Sequence, residues 1–268
     1  MDPSRSFSRH DVLTGSPAGD DPRSLPLLPD PLPPGAPPNF HVLTKPTGAI
    51  CNLDCTYCFF LSKEALYPGS KFRMTDETHE QYVRQLIEAH QTEMVTIAWQ
   101  GGEPTLMGLD FFRRTIELVD RYKRPGQVFE HTLQTNGTKI DEEWAAFFAE
   151  HRFLVGLSMD GPPDIHDAQR VDKGGAGTHE KVLQAARRMT EAGADFNILC
   201  TVHAVNGDRG REVYRYFRDE VGAKFVQFIP IIERATPELL EIAEAGWGDS
   251  NKARPLYEQK GDLVTTRS

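Results

Sequence analysis

The stretch MVTIAWQGGEPTLMGLDFFRRTIELVDRYK, from Met94 to Lys123, contains one complete strand–turn–helix unit. It begins with a short apolar run, passes through two glycines and a proline, and continues as an amphipathic segment from Asp110 onward. The large apolar residues of that segment recur at helical spacing: Phe111, Phe112, Ile116 and Val119. A buried strand followed directly by an amphipathic helix is the repeating unit of a parallel sheet.

The same alternation continues on both sides of this unit. Strands are predicted at Phe40–Thr44, Met94–Trp99, Val128–Thr135, Phe153–Met159, Phe196–Val202 and Lys224–Ile229. Helices are predicted near Glu77–His90, Asp110–Lys123, Glu142–Glu150, Glu180–Ala192 and Arg211–Val221. Six strands separated by five helices predict an α/β fold with right-handed crossovers, either an open doubly wound sheet or a barrel. In both architectures ligands bind at the carboxyl ends of the strands.

Two flanking segments lack this alternation. Residues 1–38 contain ten of the 19 prolines and few apolar side chains, which predicts a disordered tail. We assign residues 39–232 to the core, and residues 233–268, where the pattern weakens, to the start of a truncated second domain.

Charge and hydropathy exclude several classes of protein. A formal net charge of −9 argues against a general nucleic-acid-binding protein, which presents a basic face. No apolar run approaches the roughly 18 residues of a membrane span, and the charged N-terminus is not followed by the apolar segment of a secretory signal. We therefore expect a cytoplasmic protein with no membrane or nucleic-acid partner.

Three of the four cysteines fall within eight positions, Cys51-Asn-Leu-Asp-Cys55-Thr-Tyr-Cys58, just after the first predicted strand. Three thiolates on one short loop can each reach a different iron of a cubane cluster, which leaves the fourth iron open to a cofactor or substrate. The alternative is a structural zinc site with Cys200 or His41 as the fourth ligand, although zinc loops usually contain two C-x2-C pairs. We interpret Cys200, inside the fifth strand, as a small core residue, and His41, His131 and His203 as structural.

The C-x3-C-x-aromatic-C loop resembles that of the radical S-adenosylmethionine (SAM) superfamily. The resemblance implies a partial (βα)6 barrel and a 4Fe–4S cluster on Cys51, Cys55 and Cys58 whose open iron is chelated by SAM. It implies reductive cleavage of SAM to methionine and a 5′-deoxyadenosyl radical. Tyr57 occupies the aromatic position, which lies near the SAM adenine in that family.

Further candidate cofactor-binding residues follow the other strands. The resemblance assigns Gly102, in the sequence Trp-Gln-Gly-Gly-Glu-Pro, to the SAM amino group, and Gln100 at the same strand end is a candidate contact for the cofactor or the substrate. Ser158 is a candidate for the ribose or carboxylate of SAM, Arg170 for its carboxylate, Ile231 for the adenine, and Asn136 for a further contact. The alternatives are an N-cap for Ser158, a surface position for Arg170, core or loop packing for Ile231 and an ordinary Asn–Gly turn for Asn136.

Taken together, these motifs are similar to those of the anaerobic sulfatase-maturating enzymes, from about Phe40 to the end of the chain. That resemblance implies oxidation of a cysteine or serine of a sulfatase polypeptide to Cα-formylglycine, with a reduced flavodoxin- or ferredoxin-type protein as electron donor. The alternatives are a radical SAM enzyme that modifies a ribosomally made peptide precursor, and an iron–sulfur interaction module without turnover.

The sequence departs from that family in its cysteines. Members carry a cysteine-rich C-terminal domain with two auxiliary clusters and the proposed catalytic aspartate, whereas this sequence has no cysteine after Cys200. We interpret it as a fragment, a truncated product or a divergent member, and assign no general base. We expect such a chain to cleave SAM with little conversion of a sulfatase peptide.

Overall fold

A computed structural model describes residues 39–61, 63 and 70–231 of the 268-residue chain. The chain divides into two units, residues 1–37 and 38–268, and all described residues lie in the second. The tail predicted for residues 1–38 and the second domain predicted for residues 233–268 therefore lie outside the described residues.

Strands and helices alternate throughout the described part of the chain. The strands are β1 (Leu43–Thr44), β2 (Met94–Trp99), β3 (Val128–Thr135), β4 (Phe153–Ser158), β5 (Asp195–Val202) and β6 (Val226–Pro230). The helices are α1 (Asp76–Ala89), α2 (Leu109–Tyr122), α3 (Glu142–Glu150), α4 (Pro163–His166), α5 (His179–Ala192) and α6 (Gly210–Tyr216).

The predicted strands and helices are all present, with small differences at their ends. The bounds of β2, β3 and α3 are those predicted, whereas β1 has only two residues. The helix predicted to run to Val221 is α-helical only as far as Tyr216, and a π-helical turn follows over Phe217–Val221. Helix α4 was not predicted, because four residues are too few to display a helical period.

The sheet order is β1-β2-β3-β4-β5-β6, and every neighbouring pair is parallel. A doubly wound sheet reverses its strand order at a switch point, whereas the described strands follow chain order throughout. The sequence alone left an open sheet and a barrel as alternatives. This order confirms the partial barrel that the family resemblance implied.

Aromatic packing fixes the helices on the sheet. Trp99 of β2 is 1% exposed, and its ring meets those of Phe111 and Phe112 edge-on at centroid distances of 5.2 and 5.9 Å. Side-chain caps set where helices begin: Thr75 accepts a hydrogen bond from the Thr78 N–H before α1, and Asp141 accepts one from the Trp144 N–H before α3. These contacts give the strand ends a rigid support.

The strand register brings the sequence motifs to one edge of the sheet. Trp99 pairs with Leu133, and Ser158 pairs with Leu199, so β2 to β5 end at similar heights. We call this edge, formed by the carboxyl ends of the six strands, the mouth. Within the described residues, no helix combines the length and apolar character required to cross a membrane.

Candidate functional site

The cysteine loop, residues 45–58, follows β1 at the mouth. Cys51, Cys55 and Cys58 are free thiols, and each is partly exposed. The Cys58 N–H donates to the Cys55 carbonyl at 3.0 Å, and the Leu53 N–H donates to Cys51 Sγ at 3.4 Å. The loop therefore carries all three thiols in the segment that follows the carboxyl end of β1.

Burial favours the protonated form of two of these thiols, Cys51 and Cys55. Burial raises the pKa of Cys55, and the nearby positive charge of Arg170 offsets only part of this rise, so that the pKa is about 11. Burial also raises the pKa of Cys51, against hydrogen bonds from Leu53 and Asn136. Iron binds thiolates, so metal loading at this loop must release protons.

The chemical identity of the donors, three cysteine thiols, suits an iron–sulfur cluster. Three thiols on one loop match a cluster in which each thiolate takes a separate iron. Among the described residues, no group of three or more Cys, His, Asp or Glu side chains is arranged to hold a metal ion. The cysteine assignment itself stays a prediction.

The first half of the cysteine loop is seated on the end of β2. The Gly102 N–H donates to the Gly48 carbonyl and the Glu103 N–H donates to the Ile50 carbonyl, both at 2.9 Å. A Cβ on Gly102 would overlap the Ile50 carbonyl and would lie 2.8 Å from the Ala49 carbonyl carbon. The close approach that requires glycine here is therefore to the loop backbone, while a contact of Gly102 with a cofactor stays a prediction.

Glu103 joins the ends of β2 and β3. Its carboxylate, 0% exposed, accepts hydrogen bonds from the Thr105 N–H and hydroxyl, the Thr135 hydroxyl and the Asn136 N–H, at 2.6–3.0 Å. Burial raises the pKa of Glu103, and these hydrogen bonds act against that rise. Through these hydrogen bonds the Glu103 carboxylate links the end of β2 to the end of β3. We call this set of hydrogen bonds the Glu103 tie.

Asn136 connects the Glu103 tie to the cysteine loop, because its backbone binds Glu103 and its side chain contacts Cys51 and Asn52. Its Nδ2 lies 3.6 Å from Cys51 Sγ and donates to Asn52 Oδ1 at 3.0 Å. Asn52 Nδ2 in turn donates to the Thr138 hydroxyl at 2.8 Å. The side chain therefore contacts a predicted cluster ligand, whereas a direct contact with SAM stays a prediction.

The second half of the cysteine loop is held by the segment after α4. The Asp54 N–H donates to the Val171 carbonyl at 2.8 Å, and the Thr56 N–H donates to the Gln169 carbonyl at 3.0 Å. Tyr57 donates its hydroxyl hydrogen to Asp160 Oδ2 at 2.7 Å.

Asp160 also binds Arg170. Arg170 Nε donates to Asp160 Oδ2 at 2.8 Å and Nη2 donates to Oδ1 at 3.1 Å. Burial by itself would raise the pKa of Asp160, but the Arg170 charge lowers it below its usual value. Arg170 is therefore a buried ion-pair partner and not the surface arginine that was the alternative.

Tyr57 lies in contact with two cationic or aromatic groups. The Arg170 guanidinium carbon is 5.4 Å from the Tyr57 ring centroid, and the His203 ring stacks on Tyr57 at 5.6 Å. His203 Nε2 is 3.6 Å from Asp160 Oδ2, which is longer than a hydrogen bond.

The remaining predicted residues also lie at the mouth. Gln100 donates its backbone N–H to the Thr44 carbonyl at 2.8 Å and its side-chain amide to Gln134. Ser158 is buried at the end of β4, and the Ile231 N–H donates to the Val202 carbonyl at 3.0 Å just after β6. No cofactor contact of these three residues is tested, and their roles stay predictions.

Cys200 lies inside β5 with 0% of its surface exposed, and Asn206 Nδ2 is 3.8 Å from its sulfur. This position agrees with its interpretation as a core residue. His131 is buried against Phe153 at a centroid distance of 5.0 Å, as a structural histidine would be.

Two residues of the site were missed by the sequence analysis. Glu103 belongs to the quoted Trp-Gln-Gly-Gly-Glu-Pro motif, and Asp160 follows the candidate Ser158 by two residues. Their partners are distant in the chain: Tyr57 is 103 residues from Asp160. The available signal was an acidic residue directly after a buried strand end, which in this fold must find a partner at the mouth.

Both a protein-family profile and individual relatives match this chain. The family whose profile matches this chain is the radical SAM superfamily, over residues 46–217. The serine-type anaerobic sulfatase-maturating enzyme of Bacteroides thetaiotaomicron is 37% identical over 232 residues, which is 84% of this chain and 56% of the relative. The cysteine-type enzyme of Clostridium perfringens is 39% identical over 225 residues, 84% of this chain and 55% of the relative.

A solved structure, native anSMEcpe with bound AdoMet and Kp18Cys peptide, is similar with a TM-score of 0.67 and 41% identity. The similarity covers 72% of this chain and 51% of that one. The chain spans about half the length of the relatives it matches.

Proposed function

This chain belongs to the radical SAM superfamily, and from that membership we propose that it holds a 4Fe–4S cluster on Cys51, Cys55 and Cys58 and cleaves SAM at the mouth. The observation that carries the proposal is the set of three free thiols on one loop fastened to the strand ends. When bound and reduced, the cluster supplies the electron that breaks the sulfonium bond of SAM.

Several residues at the mouth are suited to bind the cluster and SAM. The Leu53 N–H and Asn136 Nδ2 lie 3.4 and 3.6 Å from Cys51 Sγ, where they stabilise a thiolate. The Gly102 backbone keeps the loop against β2. Arg170 is the proposed hydrogen-bond donor to the carboxylate of SAM.

For the substrate, we propose a cysteine or serine side chain of a sulfatase polypeptide, oxidised to Cα-formylglycine. Support comes from sulfatase-maturating relatives of both types, at 37% and 39% identity. In going to the aldehyde, serine gives a hydrogen atom from Cβ to the 5′-deoxyadenosyl radical, its hydroxyl proton to water and one electron to an acceptor of the iron–sulfur class. Cysteine gives up the same three species and forms a thioaldehyde, which water hydrolyses with release of hydrogen sulfide. A reduced flavodoxin- or ferredoxin-type protein is the proposed source of electrons for the cluster.

Cluster binding and SAM cleavage are tested together. The anaerobically reconstituted chain is analysed for iron and acid-labile sulfide, reduced with dithionite and incubated with SAM. We expect about four irons per chain, from the three-thiolate count, and slow formation of 5′-deoxyadenosine. A chain that binds iron in this form without producing 5′-deoxyadenosine would contradict the proposed activity.

The substrate is tested with a sulfatase-derived peptide deuterated at Cβ of its cysteine or serine. We expect deuterium in the 5′-deoxyadenosine, because the hydrogen atom is taken from that carbon. The control peptide is deuterated at Cβ of a residue outside the modified position. Unlabelled 5′-deoxyadenosine with both peptides would contradict this choice of substrate while leaving SAM cleavage intact.

A further inference from the structure

Asp160 is a buried carboxylate at the mouth whose partners come from three separate parts of the chain. It is 0% exposed and follows the end of β4 by two residues. Besides Tyr57 and Arg170, the Thr201 N–H at the end of β5 donates to Asp160 Oδ1 at 2.9 Å. A buried charge needs such partners to offset its lost hydration.

The backbone of Arg170 is fixed independently of Asp160. The Arg170 N–H donates to the His166 carbonyl at 2.8 Å, and the Thr178 hydroxyl donates to the Arg170 carbonyl at 2.9 Å. With the backbone held, the direction of the long side chain is set by what its guanidinium binds.

The guanidinium is only partly used by these contacts. Its five N–H donors form a rigid planar fork. Asp160 takes Nε and Nη2, and Nη2 also lies 3.4 Å from the Thr201 hydroxyl. Within the part of the chain that the structure describes, Nη1 makes no hydrogen bond.

We infer that Asp160 is a positioning residue: by holding Nε and Nη2 of Arg170, it presents Nη1 to the carboxylate of SAM. The Asp160 carboxylate also accepts the hydrogen bond from the Tyr57 hydroxyl, and it therefore connects the cysteine loop to Arg170. This inference rests on the proposed function, because it requires SAM at the mouth.

The experiment uses the full chain with its cluster reconstituted anaerobically. Asp160→Asn keeps the size of the side chain and removes its charge. We expect SAM affinity to fall about 10- to 100-fold, the loss typical of a charge-assisted hydrogen bond, with iron and sulfide content unchanged. Decarboxylated SAM, which lacks the group that Nη1 is inferred to bind, should bind the variant and the wild type within about twofold.

The matched control is Asp164→Asn. Asp164 also pairs with an arginine, Arg209 Nη1 at 2.6 Å, but its side chain is 62% exposed, whereas that of Asp160 is buried. We expect wild-type affinity for both SAM and decarboxylated SAM in this variant.

Two results with Asp160→Asn would overturn the inference. One is full retention of SAM affinity, and the other is an equal loss of affinity for SAM and decarboxylated SAM, which would indicate a general structural role. If that variant does not fold, Asp160→Glu replaces it, with the same selective loss expected and an equal loss again contradicting the inference. A wild-type chain that loads its cluster but binds no SAM would instead refute the proposed function, and the inference with it.

Discussion

At Gly102, just after β2, the backbone lies close to the backbone of the cysteine loop. We predict that Gly102→Ala displaces the loop, because the added Cβ would overlap the Ile50 carbonyl. The expected cost is about 1–3 kcal/mol of folding free energy, as for other overpacked sites, together with reduced iron content after reconstitution. Iron analysis and thermal unfolding measure the two effects.

The control for this variant is Gly210→Ala, at the start of α6. A Cβ there meets no heavy atom within 4 Å, and the backbone is helical with φ −54°. We expect full iron content and a gain of about 0.4–1 kcal/mol. Wild-type iron content in Gly102→Ala would show that the loop tolerates the side chain.

The cysteines provide a second comparison between single residues. We predict that Cys55→Ala abolishes the broad visible absorption of the reconstituted cluster, whereas Cys200→Ala preserves it. Cys200 is fully buried inside β5, away from the loop, while Cys55 is partly exposed on it. Absorption spectra of the two variants decide the matter, and loss of the cluster in Cys200→Ala would refute the ligand assignment.

The sequence was sufficient to select residues that meet at the mouth, but not their partners. Motif positions at the carboxyl ends of successive parallel strands lie at one edge of the sheet, which is why Asn136 and Ser158 share the mouth. Which hydrogen-bond donor faces which acceptor depends on contacts such as Tyr57 with Asp160, across 103 residues. No periodicity or spacing encodes a contact of that range.

At the scale of the strands, the Glu103 carboxylate links the end of β2 to the end of β3 through buried hydrogen bonds. We predict that Glu103→Gln destabilises the fold by about 1–3 kcal/mol, because the amide nitrogen would face N–H or hydroxyl donors that now meet a carboxylate oxygen. The urea unfolding midpoint of the variant measures this loss.

Glu142→Gln is the matched control, because Glu142 forms an exposed ion pair with Arg188 on the surface. We expect its unfolding midpoint to equal that of the wild type, since exposed pairs contribute little. Equal midpoints in both variants would mean that the Glu103 charge is dispensable for the tie.

Helices and strands were easier to predict than the connections between them. Helix α2 follows from the spacing of its apolar residues, and β2 from its continuous apolar run. Helix α4 is too short to display a helical period, and the prediction did not distinguish the π-helical turn Phe217–Val221 from the α-helix before it. The choice between a barrel and an open sheet depends on strand order, which local sequence patterns do not specify.

For the molecule as a whole, buried histidines predict sensitivity to acid. Burial lowers the pKa of His79 and His131 from 6.5 to about 4, and that of His166 to about 3. As the pH falls below 6.5, the unfolded chain takes up protons that the folded chain does not. Stability is therefore complete above pH 6.5 and declines as the pH falls toward 4, by up to about 1.4 kcal/mol per pH unit for each histidine.

His131→Phe tests this account. The His131 ring stacks on Phe153, and its Nδ1 has no hydrogen-bond partner among the described residues, so phenylalanine replaces it conservatively. We expect a shallower decline of the unfolding free energy between pH 6.5 and 5 than in the wild type, with both proteins in the same cluster state. An unchanged slope would show that His131 does not contribute to it.

The ties that hold the cysteine loop also determine when during synthesis it can reach its final form. Cys51 is contacted by Asn136, 85 residues later, and Tyr57 by Asp160, whose own partners include the Thr201 N–H. A ribosome delivers the chain from its amino end, so the thiols emerge long before the residues that fix them. Until β5 has been made, those thiols are unsupported and open to oxidation. We therefore expect the nascent chain to be more vulnerable to oxygen than the finished protein, and cluster insertion to follow translation of the barrel.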